Sequence, residues 1–538
     1  MTEKPAWVST LVSLVIALVF GVILGSVVQT QLNLAALQSI GVEIPSMLRL
    51  ETTLKDLVTF APIYAALFSV GFMLAQAVAM LVSRWLGGRF QMLLSSGAAL
   101  VALLVTFKIV DSFAPMPTLI AATRSASGLT AMLITAALAG WVFAALKARL
   151  THSPRSNRFT SVAIVVGAAS LVTAVPPAHA QATSAQQSTP YQIDTLADGL
   201  EHPWSLAFLP DGRMLVTERP GRLRLLAPDG ETLVESLSGV PDVYASGQSG
   251  LFDVVLSPQF EDDQQVYLSY ACGSAEANHT CLAAGVLADT GLENVEEIYR
   301  VEPAKSGDAH FGGRVTWLPD NTLILTMGDG FDYREQAQNL SNHIGTIVRL
   351  NRDGSVPDDN PFVGDDDVLH EIYSYGHRNP QGLVFDEANQ RLIAHEHGPR
   401  GGDEINIIEA GANYGWPIAT GGLDYTGARV TPFNEYPGTV SPLLEWTPSI
   451  APSGMALYGG ELFPDWQGDL LVGALVNKEV RRVRLSDDGS SAEDLEGLFG
   501  ELEERIRDVR VGPEGAVYLL TDSPDGSVLR VTPLASGS

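Results

Sequence analysis

Four short stretches of the 538-residue chain carry side chains whose types and spacing suit chemistry. In Tyr375-Gly376-His377-Arg378-Asn379-Pro380-Gln381-Gly382, an Arg-Asn pair stands between a glycine turn and a proline. A guanidinium beside a carboxamide binds a planar, poly-anionic molecule through bidentate pairing and a directed amide hydrogen bond. Glu396-His397-Gly398-Pro399-Arg400-Gly401-Gly402-Asp403-Glu404 follows, too rich in glycine for a strand. Carbonyl oxygens beside paired carboxylates are the oxygen-only ligands that a hard cation such as Ca2+ takes, and the absence of clustered cysteines or paired histidines argues against zinc. A solvated acidic loop is the alternative. The third stretch, Ala309-His310-Phe311-Gly312-Gly313-Arg314, sets a histidine before glycines that let the backbone approach a ligand. Facing a pocket, such a histidine acts as a general base near neutral pH; a lone histidine is equally compatible with a structural role. The fourth, Arg505-Ile506-Arg507, puts two guanidiniums on one face of a strand. They form a second anion clamp if that face looks into a channel, and a solvated edge if it does not.

The elements that must position these loops begin at Tyr191, where the sequence turns to short alternating runs separated by Pro, Asp, Asn and Gly. One phrase, a turn followed by an apolar strand, recurs at 210–217, 259–270, 319–326, 389–396, 466–474 and 513–521. Six occurrences with uneven loops between them fit one four-stranded sheet per repeat. A single sheet cannot bury both faces, so ring closure predicts an all-β, six-bladed β-propeller over 192–538, with a large β-sandwich as the competitor. Loops at one end of a propeller channel converge on one site, and 333–342 and 420–436 are expected to rim its mouth.

The first 180 residues are a different kind of protein, with a net charge of about +6 against about −34 for the remainder. Apolar stretches at 7–28, 57–82, 92–110 and 128–146 are long enough to span a hydrocarbon core of about 30 Å as helices. A fifth run at 159–175 follows Lys147, Arg149, Arg155 and Arg158 and ends in Ala178-His179-Ala180. It reads either as a fifth anchor helix or as a signal peptide cut after Ala180, and 181–191 is a polar linker. Basic residues at Lys4, Arg84 and Arg89 place the alternate ends inside, with the loops holding Glu43, Glu51, Asp56 and Asp111 outside. The expected location is therefore a bacterial inner membrane, with the acidic domain facing the periplasm. Lys108 and Asp111 either line a quinone or proton site or snorkel to the interface.

Composition narrows the function further. With 46% hydrophobic and 17% charged residues the chain is not disordered, and a net charge of −28 excludes nucleic-acid binding. Cys272 and Cys281, the only cysteines, either close a small disulfide loop in an exported domain or remain buried thiols. No Cys-x-x-Cys-His stretch is present to attach a haem.

Taken together, residues from about 201 to 533 resemble the glucose/sorbosone dehydrogenase family, the soluble aldose sugar dehydrogenases that use pyrroloquinoline quinone (PQQ). The matching stretches, besides those above, are His202-Pro203-Trp204-Ser205, Gly247-Gln248-Ser249-Gly250-Leu251-Phe252-Asp253, Gly411-Ala412-Asn413-Tyr414-Gly415-Trp416-Pro417 and Ala451-Pro452-Ser453-Gly454-Met455. The resemblance implies a six-bladed propeller. It implies that His310 removes the proton of the anomeric hydroxyl while hydride passes from C1 to the C5 carbonyl carbon of PQQ. Gln248 and Arg378 would lie at the reacting centre; Arg378, Asn379, Arg505 and Arg507 would hold PQQ, with Tyr425 in the cofactor pocket. The carbonyls of Gly398 and Pro399 would coordinate a catalytic Ca2+, and Glu404 with the Tyr414 carbonyl, near Asp403, a second and structural one. Where relatives carry a PQQ-contacting lysine after Gly-Ala-Leu, this chain has Val476, and Lys478 is expected to supply the charge from the same strand face.

Without a haem domain, a membrane quinone such as ubiquinone is the natural acceptor for electrons from the sugar. Two other functions compete: a Ca2+-dependent lactonase-like hydrolase and a non-enzymatic, membrane-tethered binding propeller. The discriminator is the anion clamp, because a neutral lactone needs no cluster of arginines.

Overall fold

The computed structural model describes residues 6–113, 118–151 and 190–534. The run at 159–175, the Ala180 cleavage site and most of the linker lie outside the described residues.

From Tyr191 onward the chain builds six four-stranded antiparallel sheets. Their innermost strands, Pro203–Phe208, Leu251–Leu256, Val315–Trp317, Pro380–Asp386, Pro452–Leu457 and Ile506–Val511, pack each against the next, and the last returns to the first. The expected six-bladed propeller is therefore the fold. Tyr191–Leu200 closes the ring by pairing with Gly526–Pro533, Tyr191 opposite Pro533, so the first strand of the propeller is the outer strand of its last blade.

The six recurring phrases prove to be equivalent. Each supplies the second strand of a blade: Met214–Glu218, Gln265–Gly273, Leu323–Thr326, Arg391–Glu396, Leu470–Ala474 and Val517–Thr521. A second strand has partners on both edges and neighbouring blades on both faces, which is why it is almost continuously buried and reads as an apolar run rather than an alternation. At the channel, buried ion pairs tie inner strands of different blades together: Arg314 to Asp508 at 2.9 Å, with its guanidinium 4.0 Å from the Trp204 ring, and Arg510 to Asp253 at 2.9 Å. Cys272 and Cys281 are joined as a disulfide across one hairpin.

The N-terminal region forms α1 (Ala6–Ser39), α2 (Ser46–Thr59), α3 (Ala61–Trp85), α4 (Gln91–Phe113) and α5 (Ala126–Thr151). Four of them, α1, α3, α4 and α5, are long and apolar enough to cross a membrane. Their interior is a ladder of aromatic rings, Phe60, Tyr64, Phe68 and Phe72, set against small residues. At Gly140 a Cβ would stand 2.3 Å from the Ser95 carbonyl oxygen, so only glycine permits that approach of α5 to α4. Glu51 and Asp56, expected in a loop, lie instead on α2, a helix whose charged residues break the apolar run that reveals its neighbours.

One end of this bundle packs on the propeller. Ala428 is buried in the bundle core, and Ile418 packs with Leu34, Leu37, Val42 and Ile44. The Asn33 amide donates to the Arg429 carbonyl at 3.1 Å, and the Arg429 amide donates to Asp56 at 3.0 Å. Arg124 pairs with both carboxylate oxygens of Glu335, at 2.9 and 3.2 Å. The loops expected to rim the channel mouth are thus held by the helices.

Candidate active site

A cavity of about 440 Å³ opens at the end of the channel. It gathers Gln248, His310, Asn379, Gly398, Pro399, Tyr425, Arg505 and Arg507 from residues far apart in sequence. Sequence reasoning missed Arg219 and Asp522 in the same wall, because a solitary arginine or aspartate between strands carries no pattern, and gave Arg400, inside the glycine-rich loop, no role.

His310 sits in the left-handed backbone region (φ 52°) and is buried. Gly312 and Gly313 follow it because a Cβ on the first would lie 2.5 Å from the Thr326 carbonyl oxygen and on the second 2.8 Å from the Phe252 ring. The His310 Nδ1 is 2.6 Å from Asp329 Oδ1, while Asp329 Oδ2 accepts from the Trp416 indole at 2.8 Å. This arrangement fixes a proton on Nδ1 and leaves Nε2 as the basic nitrogen. Burial, reinforced by the Arg378 guanidinium, holds His310 below the usual histidine range despite the opposing Asp329, so it is neutral at pH 7. Gln248 holds the His310 backbone amide through its Oε1 at 2.9 Å. Lys305 completes the mounting: its Nζ donates to the Ala309 carbonyl and to Asn278, both at 3.1 Å, and lies 3.4 Å from the centre of the Phe311 ring, with burial lowering it to about 7. Asp329 and Lys305 were not foreseen; Asp329 lies in a glycine-rich turn 19 residues from its histidine, with nothing in sequence to join the two.

The opposite wall is cationic. Arg505 and Arg507 both bind Asp522, at 3.0 and 2.9 Å, which confirms their common face. Burial raises the Asp522 carboxyl, but the Arg507 and Arg505 guanidiniums outweigh it and hold the group well below the usual range. With Arg219 and Arg400, four arginines and one aspartate line a single cavity. Asn379 lies beside them, its carboxamide oxygen accepting from the Gly312 amide at 3.1 Å.

Arg378 lies close enough to His310 to lower its basicity, and its guanidinium donates to the His397 and Gly398 carbonyls at 3.0 and 2.7 Å and to the Tyr425 hydroxyl at 3.3 Å. Two other expectations are corrected by geometry. Asp403 has no ligand capacity to spare: its carboxylate accepts from the Gly398, Ile450 and Ala451 amides and the Ser449 hydroxyl, which makes it the clamp that shapes the carbonyl loop. Lys478 is not on a strand. It lies in the turn between Leu470–Ala474 and Glu479–Leu485, with φ 58°, and its Nζ donates to the Glu503 carbonyl at 2.7 Å outside the cavity. Val476 is the residue that lines the cavity.

Beneath the carbonyl loop lies a small pocket bounded by Glu396, Gly398, Glu404, Tyr414 and Thr420. Glu396 is paired with His377, whereas Glu404 receives one side-chain donor, Asn406 at 3.2 Å. Burial, and then the neighbouring Glu396, raises Glu404 well above the usual carboxylate range. A buried carboxylate so poorly satisfied, among backbone oxygens, fits a hard cation.

The profile of the family described as Glucose / Sorbosone dehydrogenase matches residues 200–530, more than half of the chain. The chain belongs to the glucose/sorbosone dehydrogenase family. Within reach of this family member is the aldose sugar dehydrogenase YliI of Escherichia coli, 42% identical over 347 residues, which span 63% of this chain and 92% of that protein. The quinoprotein glucose dehydrogenase B of Acinetobacter calcoaceticus is 28% identical over 440 residues, 64% of this chain and 89% of that one. The solved PQQ-bound form of an aldose sugar dehydrogenase from Streptomyces coelicolor is 29% identical with a TM-score of 0.52, covering 64% of this chain and 99% of that structure. The family match leaves the helical region of this glucose/sorbosone dehydrogenase family member outside it.

Proposed function

We propose that the chain is a PQQ- and Ca2+-dependent dehydrogenase that oxidises an aldose at C1 to the lactone. The observation that carries the reading is one cavity lined by a neutral, carboxylate-oriented histidine and by four arginines against a single aspartate. That excess of positive charge, in a chain of net charge −28, fits a tricarboxylate, and the PQQ-bound relative supports the same identity. Bound PQQ would supply the two-electron oxidant that accepts the C1 hydride.

The chain's own residues do the rest. Nε2 of His310 takes the C1 hydroxyl proton, and Asp329 stabilises the imidazolium that results. Arg219, Arg505 and Arg507, with Asn379 and Tyr425, hold the cofactor, and Gln248 keeps the histidine loop in register. Arg378 positions the carbonyls of Gly398 and Pro399, which would carry one Ca2+; Glu404 and the Tyr414 carbonyl would carry the second. A lactonase has no use for the four arginines.

The helical region (1–180) anchors the propeller (192–538) through the linker (181–191). Arg84, Arg89, Lys147 and Arg149 lie at the bundle end away from the propeller, and positive residues favour the cytoplasmic side. That supports a bacterial inner-membrane protein with the propeller in the periplasm. Electrons would pass to a membrane quinone.

The test is a PQQ titration of the full chain in detergent with Ca2+, following dye reduction with a panel of aldoses. The expected result is saturable activity that appears only with PQQ. Absence of both activity and PQQ binding by absorbance would overturn the proposal.

A further inference from the structure

We propose that an isoprenoid quinone docks where the helices meet the propeller, its tail in the groove between α3 and α4 and a ring carbonyl at the seam bounded by Thr118, Arg124, Arg334 and Asp424. The inference rests on the dehydrogenase reading above and names where its acceptor binds.

The groove has a volume of about 650 Å³ and, apart from Thr106, is lined by apolar residues, with Leu67, Val70, Leu74 and Val78 on α3 facing Val101 and Val105 on α4. Gly71 forms part of its floor, where a Cβ would stand 2.8 Å from the Thr106 hydroxyl. The groove climbs α4 to Ile109 and Val110 and stops. The next residue, Asp111, accepts from the Leu119 amide at 3.3 Å, and the Thr118 hydroxyl donates to Asp332 Oδ2 at 3.0 Å. An apolar trough therefore ends in polar groups at the propeller end of the bundle, the depth at which a lipid-soluble molecule with a polar head changes character.

The seam beyond is built from both regions. Thr118, Ala121 and Arg124 come from the connection between α4 and α5; Phe331, Arg334 and Asp424 come from the propeller. Its far wall includes Pro399 and Tyr425, which also line the dehydrogenase cavity, so one layer of side chains separates the two spaces. The enclosed part is about 30 Å³. That is close to one water's share of liquid volume, room for a carbonyl edge while the ring lies along the rim.

The chemistry at the seam favours a neutral, proton-accepting head. Among the described residues Asp332 Oδ1 is buried with no hydrogen-bond partner, an acceptor that a quinol hydroxyl would satisfy. Burial raises the carboxyls of both Asp332 and Asp424 above their ordinary value, which eases the approach of a neutral group over a charged one. Arg124 and Arg334 are already paired with Glu335 at 2.9 and 3.0 Å, so a phospholipid phosphate would meet occupied guanidiniums and neighbouring carboxylates. In the step, the quinone takes up the two electrons released when the sugar C1–H is oxidised and two protons, one on each carbonyl oxygen. Both C=O bonds become C–OH.

The test uses the full chain in lipid nanodiscs with PQQ, Ca2+ and an aldose, comparing reduction of decylubiquinone with reduction of a soluble phenazine-coupled dye. Asp332→Asn and Leu74→Trp should each lower kcat/KM for decylubiquinone by about fivefold or more, the loss of one modest contact, while the dye rate stays within about twofold. Azido-ubiquinone photolabelling of protein without PQQ should mark the Thr118 to Arg124 segment. Decylubiquinone kinetics unchanged in Leu74→Trp would assign the groove to a lipid or to the run 159–175 and overturn the tail site. Labelling elsewhere, or wild-type protein that reduces the dye but not the quinone, would overturn the inference and leave the dehydrogenase standing. Protein that reduces neither would overturn both.

Discussion

The large cavity and the small pocket beneath it share one loop, 397–403, yet are opposites in charge. Above the loop, four guanidiniums outnumber one carboxylate; below it, Glu404 is buried with a single side-chain donor. Buried charge is tolerated only when something opposes it. Each side therefore states the sign of what it lacks, an anion above and a cation below. The loop between them is held by Asp403 and Arg378, residues with no unmet demand of their own.

Three predictions would break or sharpen that contrast. The largest effect is expected at the histidine. His310→Ala should cut kcat by about 10³-fold, within the range of general-base catalysis, with PQQ affinity retained. The wild-type profile should be flat through neutral pH and fall only below the usual histidine range, because a lowered pKa keeps the base unprotonated as pH drops. An acid limb centred above pH 6.5 would contradict the burial argument.

An intermediate effect is expected at the clamp. Arg507→Ala should weaken PQQ binding by about 10- to 100-fold, the value of a charge-assisted contact, whereas Lys478→Ala should leave it unchanged. Equal losses in both, measured by titration of PQQ absorbance, would restore the lysine to the site. The smallest effect is expected below the loop, where Glu404→Gln should abolish the Ca2+-dependent rise in Tm. That rise is about 4 °C if the ion contributes about 2.7 kcal/mol at saturating concentration. A Tm equally sensitive to chelator in both proteins would place the cation elsewhere.

What could be read from sequence follows the physics of each element. Blade count was legible because second strands are enclosed on every side and betray themselves as apolar runs after a turn. The four long helices were legible for the same reason, since lipid and protein interior both demand apolar side chains. The helix α2 was hidden because Arg49, Glu51, Lys55 and Asp56 interrupt its apolar pattern: Asp56 meets the propeller, Arg49 bonds to α1, and Glu51 and Lys55 pair with each other in the open. For Arg505 and Arg507, periodicity predicted a common side, which their shared bond to Asp522 shows, but the family resemblance was needed to put that side in the site. Site residues whose meaning is a partner elsewhere in the chain could not be placed: Asp329 for His310, or Asp522 for Arg507. The error at Lys478 came from extending a strand four residues past its end at Ala474, where a turn reverses the chain.

The pairing of Tyr191–Leu200 with Gly526–Pro533 also orders events in the life of the molecule. The ring cannot shut until its final strand has emerged, so in the topology proposed above the polypeptide crosses the membrane as an open chain. Cofactor capture then follows closure, on the far side. Because the closing strand begins after Ala180, proteolysis at that point would free the propeller without unlatching it, leaving the noncovalent grip on Ala428 and Glu335 to decide whether the enzyme stays at the membrane.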